Sequence, residues 1–162
     1  MDILGGSQAE EEEDALELFL REGGTFAMLK GISQDSLDQM YSLAFNHYQV
    51  GKWREAHTLF QGLCALDHYD TRFFLGLGAC RQQLGMFQAA IESYTYGALI
   101  DIKDPRFPFY AGECQLQLDD LEAAESGFYS AGLLASADAK YSALARRAEG
   151  MLEAVSLRSI ER

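Results

Sequence analysis

An all-α solenoid of three stacked helical hairpins, flanked by a helix at each end, is predicted by three features of this 162-residue sequence. Small and aromatic residues recur at a spacing of 34, as in Ala44, Gly78 and Gly112, in Ala56, Ala90 and Ala124, and in Phe60, Tyr94 and Phe128. Turn positions recur at the same spacing, Gly51, Gly85 and Asp119, each followed two residues on by Trp53, Phe87 or Leu121. Only two prolines occur, Pro105 and Pro108, and both fall where a helix would begin. A period of 34 belongs to the tetratricopeptide repeat, a helix–turn–helix hairpin, and sets units 37–70, 71–104 and 105–138. Each unit is degenerate, with Ala44 in place of Gly, Ala111 in place of Leu, and the motif's Trp, Tyr and final Pro missing throughout. Stacking such units buries a face that no single hairpin can enclose, which gives a short right-handed α-solenoid.

Taken in order, residues 1–9 carry Gly5, Gly6 and Ser7 without periodicity and read as a disordered tail. A helix is expected from about Glu10, with the acidic run Glu10–Asp14 at the positive end of its dipole and Leu16, Phe19 and Leu20 as its apolar stripe. Gly23-Gly24 stops it, and a short helix over Thr25–Lys30 ends at Gly31, completing an N-terminal helical region over 10–35. Ser33 or Ser36 then caps the first repeat, and Ser36 with Gln39 fits a capping box. Ala56, Ala90 and Ala124 stand where the two helices of each hairpin cross, and Gly78 and Gly112 permit the same close approach from the first helix. Asp70 and Asp104 occupy matching cap positions, and Asp104-Pro105 is a cap followed by a first-turn proline. Beyond 138, Leu144, Ala148, Met151, Leu152 and Val155 continue a helical stripe, so a helix over 139–158 should close the last repeat.

Composition removes several classes of function. Apolar residues make up 48% and charged residues 23%, which excludes wholesale disorder. The net charge of −12, from 25 acidic and 13 basic residues, would repel a phosphate backbone, so nucleic acid is not an expected partner. No apolar run is long enough to span a bilayer, and the acidic N-terminus lacks the pattern of a secretory signal. Cys64, Cys80 and Cys114 form no CxxC pair, which fits a reducing cytoplasm and small buried hydrophobes better than a disulfide framework or a metal site. His47, His57 and His68 stand 10 and 11 residues apart with no carboxylate placed to orient them, and no phosphate loop precedes a helix. Neither an enzyme nor a cofactor is expected.

Positions 2, 5, 9 and 12 of each first helix share one face, and stacking turns that face into the lining of a concave groove. They read Asp38, Tyr41, Phe45 and Tyr48, then Arg72, Leu75, Ala79 and Gln82, then Arg106, Phe109, Glu113 and Leu116. The aromatic stripe, extended by Tyr69, continues into an apolar floor at Leu75, Phe109 and Leu116, with Arg72, Lys103 and Arg106 as polar handles. Such a strip is an aggregation hazard unless something covers it. The candidate occupant is an extended peptide; the alternative is the chain's own N-terminal helix folded over Tyr41 and Phe45. Tyr41 and Phe45 also replace the Lys and Asn with which some repeat domains clamp a terminal carboxylate.

The strings YSLAFNHYQVGKW, LDHYDTRFFLGLGACRQ, YGALIDIKDPRFPFYAGEC and AESGFYSA, with FLREGGTFAMLKGIS and MLEAV at the flanks, resemble the class II chaperones of type III secretion, the SycD/LcrH type. The resemblance implies a non-enzymatic bacterial cytoplasmic protein. It implies binding of two hydrophobic translocators, a major and a minor one, through an extended N-terminal segment lying in the groove. Tyr41, Phe45, Tyr48, Leu75 and Phe109 match that groove, as do Tyr69, Arg72 and Arg106. A client-free homodimer through the N-terminal region is implied too, here at Leu16, Phe19, Leu20, Phe26, Met28 and Leu29. The competing expectation is a generic peptide-binding scaffold or regulator.

Overall fold

The computed structural model describes residues 4–162. Described elements are helical throughout: α1 (Leu4–Arg21), α2 (Phe26–Leu29), α3 (Gln34–Gln49), α4 (Trp53–Leu66), α5 (Thr71–Gln83), α6 (Phe87–Ile100), α7 (Arg106–Gln117), α8 (Leu121–Ser136) and α9 (Ser142–Ile160), with a 3₁₀ turn at Ala139–Tyr141 before α9. From α3 to α9 each helix packs on its neighbour in sequence, so the pairs α3–α4, α5–α6 and α7–α8 stack in a row that α9 closes.

The crossing points behave as their spacing requires. Ala56, Ala90 and Ala124 are completely buried. A Cβ on Gly78 would stand 2.3 Å from the Tyr94 ring, and one on Gly112 would stand 2.9 Å from Phe128. A larger residue at either place would force a hairpin open. The hairpin turns share one conformation: Gly51, Gly85 and Asp119 have φ of 80°, 73° and 63°. In each, the next residue's N–H returns to the carbonyl five positions earlier, as Lys52 to His47, Met86 to Arg81 and Asp120 to Gln115. This is the left-handed helix end that glycine favours. Asp119 tolerates it while its carboxylate meets Arg158 of α9, at 3.0 Å, and Arg162 just beyond that helix.

Starts of helices follow local chemistry. Thr25 Oγ1 accepts from Met28 N and caps α2. Ser33, not Ser36, caps α3, its Oγ accepting from Ser36 N at 3.2 Å; Ser36 is thus the third residue of the helix and no Ser36–Gln39 box forms. Asp70 and Asp104 each accept the N–H two residues on, at Arg72 and Arg106, both at 3.0 Å. Pro105 already has helical φ, −70°.

One element differs from expectation at its boundary. α1 begins at Leu4, so residues 4–9 are helical and not a tail, while residues 1–3 lie outside the described part. The run Glu10–Asp14 therefore falls inside the helix, away from the positive end of its dipole.

The interior divides in two. Phe60, Leu63, Phe73, Tyr94 and Phe107 belong to a core shared by the first two hairpins and the start of the third. Phe109, Phe128, Ala131, Leu144, Ala148 and Val155 form a second core between α7, α8 and α9. No helix among the described residues is long and apolar enough to cross a membrane.

Candidate functional site: a concave cavity on the first helices

A cavity of about 300 Å3 opens on the face formed by α3, α5 and α7. Tyr41, Phe45 and Tyr48 of α3 and Arg72, Leu75 and Ala79 of α5 line it, joined at the α7 side by Gln82, Tyr94, Tyr110 and Glu113. Six residues expected in a groove are thus brought together, because their shared helix face meets its equivalent one repeat later. No described side chain of α1 lines the cavity; Tyr69 Oη donates a hydrogen bond to the Leu20 carbonyl, 3.1 Å, on the exposed surface beside it.

The apolar wall is built on ring packing. Tyr41 stacks on Phe45 with centroids 6.1 Å apart and meets Phe60 and Phe73 of the core at 6.0 Å. Phe45 keeps 42% of its surface exposed although it is a large apolar side chain. Above Tyr41 lies the Arg72 guanidinium, 4.9 Å from the ring centroid. Its position is set by Asp70 on its own helix start (Nη2 to Oδ2, 2.7 Å) and by Asp38 of the preceding repeat (Nη2 to Oδ1, 3.0 Å). The hydrogen bond from Arg72 holds the Asp38 carboxyl below its ordinary range, and the one to Asp70 raises Arg72 further above its own. Arg72 therefore forms a fixed cationic rim over an aromatic floor.

The opposite end is polar. Tyr94 Oη donates to Gln82 Oε1 at 2.8 Å, and Gln82 Nε2 faces Glu113 Oε1 at 3.5 Å. Burial pushes the Tyr94 hydroxyl well above its usual pKa and that of Tyr48 upward too, so both stay protonated donors at neutral pH.

Other expected groove residues lie elsewhere. Phe109 is completely buried, edge-on to Phe128 at 5.4 Å and covered by the Arg147 guanidinium of α9 at 4.7 Å from its centroid. It belongs to the second core: α9 occupies the space that a next hairpin would leave open. Leu116 packs against that same core, and Arg106 is held on Asp104 at 2.7 Å, outside the cavity. Conversely, Phe60, Gly76, Gln83, Tyr94 and Tyr110 line the cavity although the sequence does not place them in the groove. Gln82 and Glu113 did share the groove face in the sequence, but their polarity gave no reason to choose them.

No cluster of His, Cys, Asp and Glu able to hold a metal ion occurs among the described residues. Burial pushes the thiols of Cys64, Cys80 and Cys114 up to about 12, so none is a nucleophile at neutral pH. His57 accepts from Arg81 Nε at 3.3 Å between the first two hairpins, a packing role outside the cavity.

No family model matches the chain. Low calcium response locus protein H of Yersinia pestis is 60% identical over 95 residues, 59% of this chain and 56% of the relative, and the chain spans about half the length of the curated relatives it matches. The translocator chaperone SycD of Yersinia enterocolitica is 58% identical, with a TM-score of 0.78 over 82% of this chain and 98% of that one. PcrH of Pseudomonas aeruginosa, crystallised with the chaperone binding region of PopD, is 62% identical, with a TM-score of 0.79 over 80% of this chain and 97% of that one. The chain belongs to the class II translocator chaperones of type III secretion. In this translocator chaperone the cavity has an aromatic wall on α3, an apolar floor at Leu75 and Ala79 of α5, a cationic rim at Arg72 and a polar end at Glu113.

Proposed function

We propose that this chaperone holds an extended, largely apolar segment of a hydrophobic translocator in the concave cavity, keeping the client soluble, unassembled and fit for secretion. The observation that carries this reading is the aromatic wall of half-buried Tyr41 and Tyr48 with exposed Phe45, bordering a concave cavity of about 300 Å3 that no described side chain of α1 lines. PcrH binds the chaperone binding region of PopD, and by likeness the same class of segment is the client here. Tyr41, Phe45, Tyr48, Leu75 and Ala79 contact its apolar side chains, and Arg72 donates to a carbonyl or carboxylate at the rim. Tyr69 and Arg106 border the approach. Burying four or five such contacts contributes roughly 1.5–3 kcal/mol each before ordering costs, which reaches micromolar to nanomolar affinity. Because the contacts are mainly apolar, moderate salt weakens binding only slightly.

The protein acts in the bacterial cytoplasm, without enzymatic activity, and serves a major and a minor translocator. In its client-free form it dimerises through the N-terminal helices, where Leu16, Phe26, Met28 and Leu29 remain exposed and Phe19 and Leu20 are partly covered. The deciding experiment is calorimetric titration with a synthetic PopD chaperone binding region. The wild type binds it, and the Tyr41→Ala/Phe45→Ala double variant, still melting cooperatively, loses at least a hundredfold. A wild type that ignores the peptide, or a folded double variant with unchanged Kd, overturns the reading.

A further inference from the structure

Within the cavity, one charged group is poorly matched. The Glu113 side chain is 27% exposed, yet among the described residues its oxygens meet only Gln82 Nε2 at 3.5 Å and Arg147 Nη2 at 3.9 Å. A carboxylate offers about four acceptor positions, and charge-assisted bonds normally close to about 2.7–2.9 Å. The contrast lies within the same ladder of repeats: Asp70 and Asp104 each grip an arginine at 2.7 Å. Glu113 is also aimed. Tyr94 Oη holds Gln82 Oε1 at 2.8 Å, which turns the amide nitrogen of Gln82 toward Glu113 and orders this end of the cavity.

Resting on the proposed groove, we infer that Glu113 is a specificity subsite: it accepts a hydrogen bond from a neutral N–H or O–H donor of the bound segment. Covering Glu113 with an apolar segment would strip its water and leave a desolvated carboxylate, which disfavours any client without a donor at that point. An acidic side chain there is repelled outright. Arg147 already supplies positive charge from the solvent side, above Phe109, so a neutral donor completes the shell without displacing it. The apolar wall then supplies affinity, while Glu113 sets the register in which the segment lies. The donor is either a backbone amide or a hydroxyl or carboxamide side chain, and both sources share the same chemistry.

The test is a coupling measurement with the PopD chaperone binding region as probe. Peptides N-methylated one residue at a time, and a parallel set with each Ser, Thr, Asn and Gln replaced by Ala, are titrated into wild type and Glu113→Gln. Glu113→Gln should keep the melting temperature within about 2 °C and weaken the parent peptide about tenfold, as expected for a bond to a charged acceptor. One peptide position should cost about tenfold with wild type and less than twofold with Glu113→Gln. A coupled N-methyl position assigns a backbone donor, and a coupled Ala position assigns a side chain; either supports the subsite. If every peptide change costs the same factor in both proteins, the subsite is overturned while the groove stands. If Tyr41→Ala/Phe45→Ala also binds normally, the groove itself fails.

Discussion

The two ends of the solenoid are closed by different means. At the C-terminal end α9 lies along α8 and buries Leu144, Ala148 and Val155 beside Ala131 and Ala135, while Arg147 covers Phe109 and Arg158 ties back to the last hairpin turn. At the N-terminal end α1 and α2 touch the first hairpin sparingly, leaving Leu18, Met28 and Val50 exposed. Leu43 shows the consequence within the repeat itself: it is 50% exposed, whereas its equivalent Leu77, covered by the preceding hairpin, is 6% exposed. A stack of hairpins always has two open faces. This chain satisfies one internally and leaves the other greasy, which suits a partner or a second copy at that end.

The comparison is most easily broken at Phe109. Phe109→Ala should lower stability by about 3–5 kcal/mol through loss of a filled core position, reading as a fall of about 10 °C or more in melting temperature. A fall no larger than that of Phe45→Ala, expected below about 1 kcal/mol for a half-exposed ring, would mean that α9 does not seal its end. Next in size, removal of residues 1–22 should leave a single cooperative melt lowered by only a few degrees, since few contacts are lost; loss of cooperative melting would make the two ends alike. In the same variant the proposed client-free dimer should be lost, sedimentation reporting a monomer.

Smaller effects sharpen the picture inside the stack. Gly85→Ala forces a side chain into φ of 73° and should cost about 1 kcal/mol in chemical denaturation, and Gly51→Ala about the same. The smallest effect concerns acidity. Burial first, and then the charge of Arg81, lowers the pKa of His57, so the folded protein holds it neutral as an acceptor. The unfolded chain takes up a proton near the ordinary histidine value of about 6.5. Stability from this site is therefore present above that pH and declines as pH falls through it toward the lower folded value. His57→Gln, which keeps an acceptor, should flatten that part of a stability–pH profile measured from pH 7.5 to 5.5; an unchanged slope assigns the decline to other groups.

Much of this architecture was legible along the chain. The crossing alanines, the hairpin turns and the aspartate caps are local or repeat-periodic features, and each adopts the role its spacing implies. The α3 wall was legible for the same reason, since Tyr41, Phe45 and Tyr48 share a face by helical geometry alone. Three things were not. Gly5, Gly6 and Ser7, without periodicity, read as part of a disordered tail, yet α1 runs through them. Phe109 is the repeat equivalent of Leu75, but translation by 34 residues assumes a following hairpin, and α9 stands there instead. Tyr94 fits the aromatic position of the core, and nothing in its spacing shows that its hydroxyl reaches into the cavity.

Periodicity and caps thus specify the hairpins, their order and the side of each leading helix that faces the trough, because these depend on residues within a turn or two of one another. The outline of the trough is a different matter. Where it ends, which carboxylate is only loosely paired and which ring is sealed beneath α9 depend on how far successive hairpins rotate and on how the last helix docks. Those are distances between groups far apart in the chain, such as Gln82 with Glu113 and Phe109 with Arg147, and only packing of the assembled stack sets them.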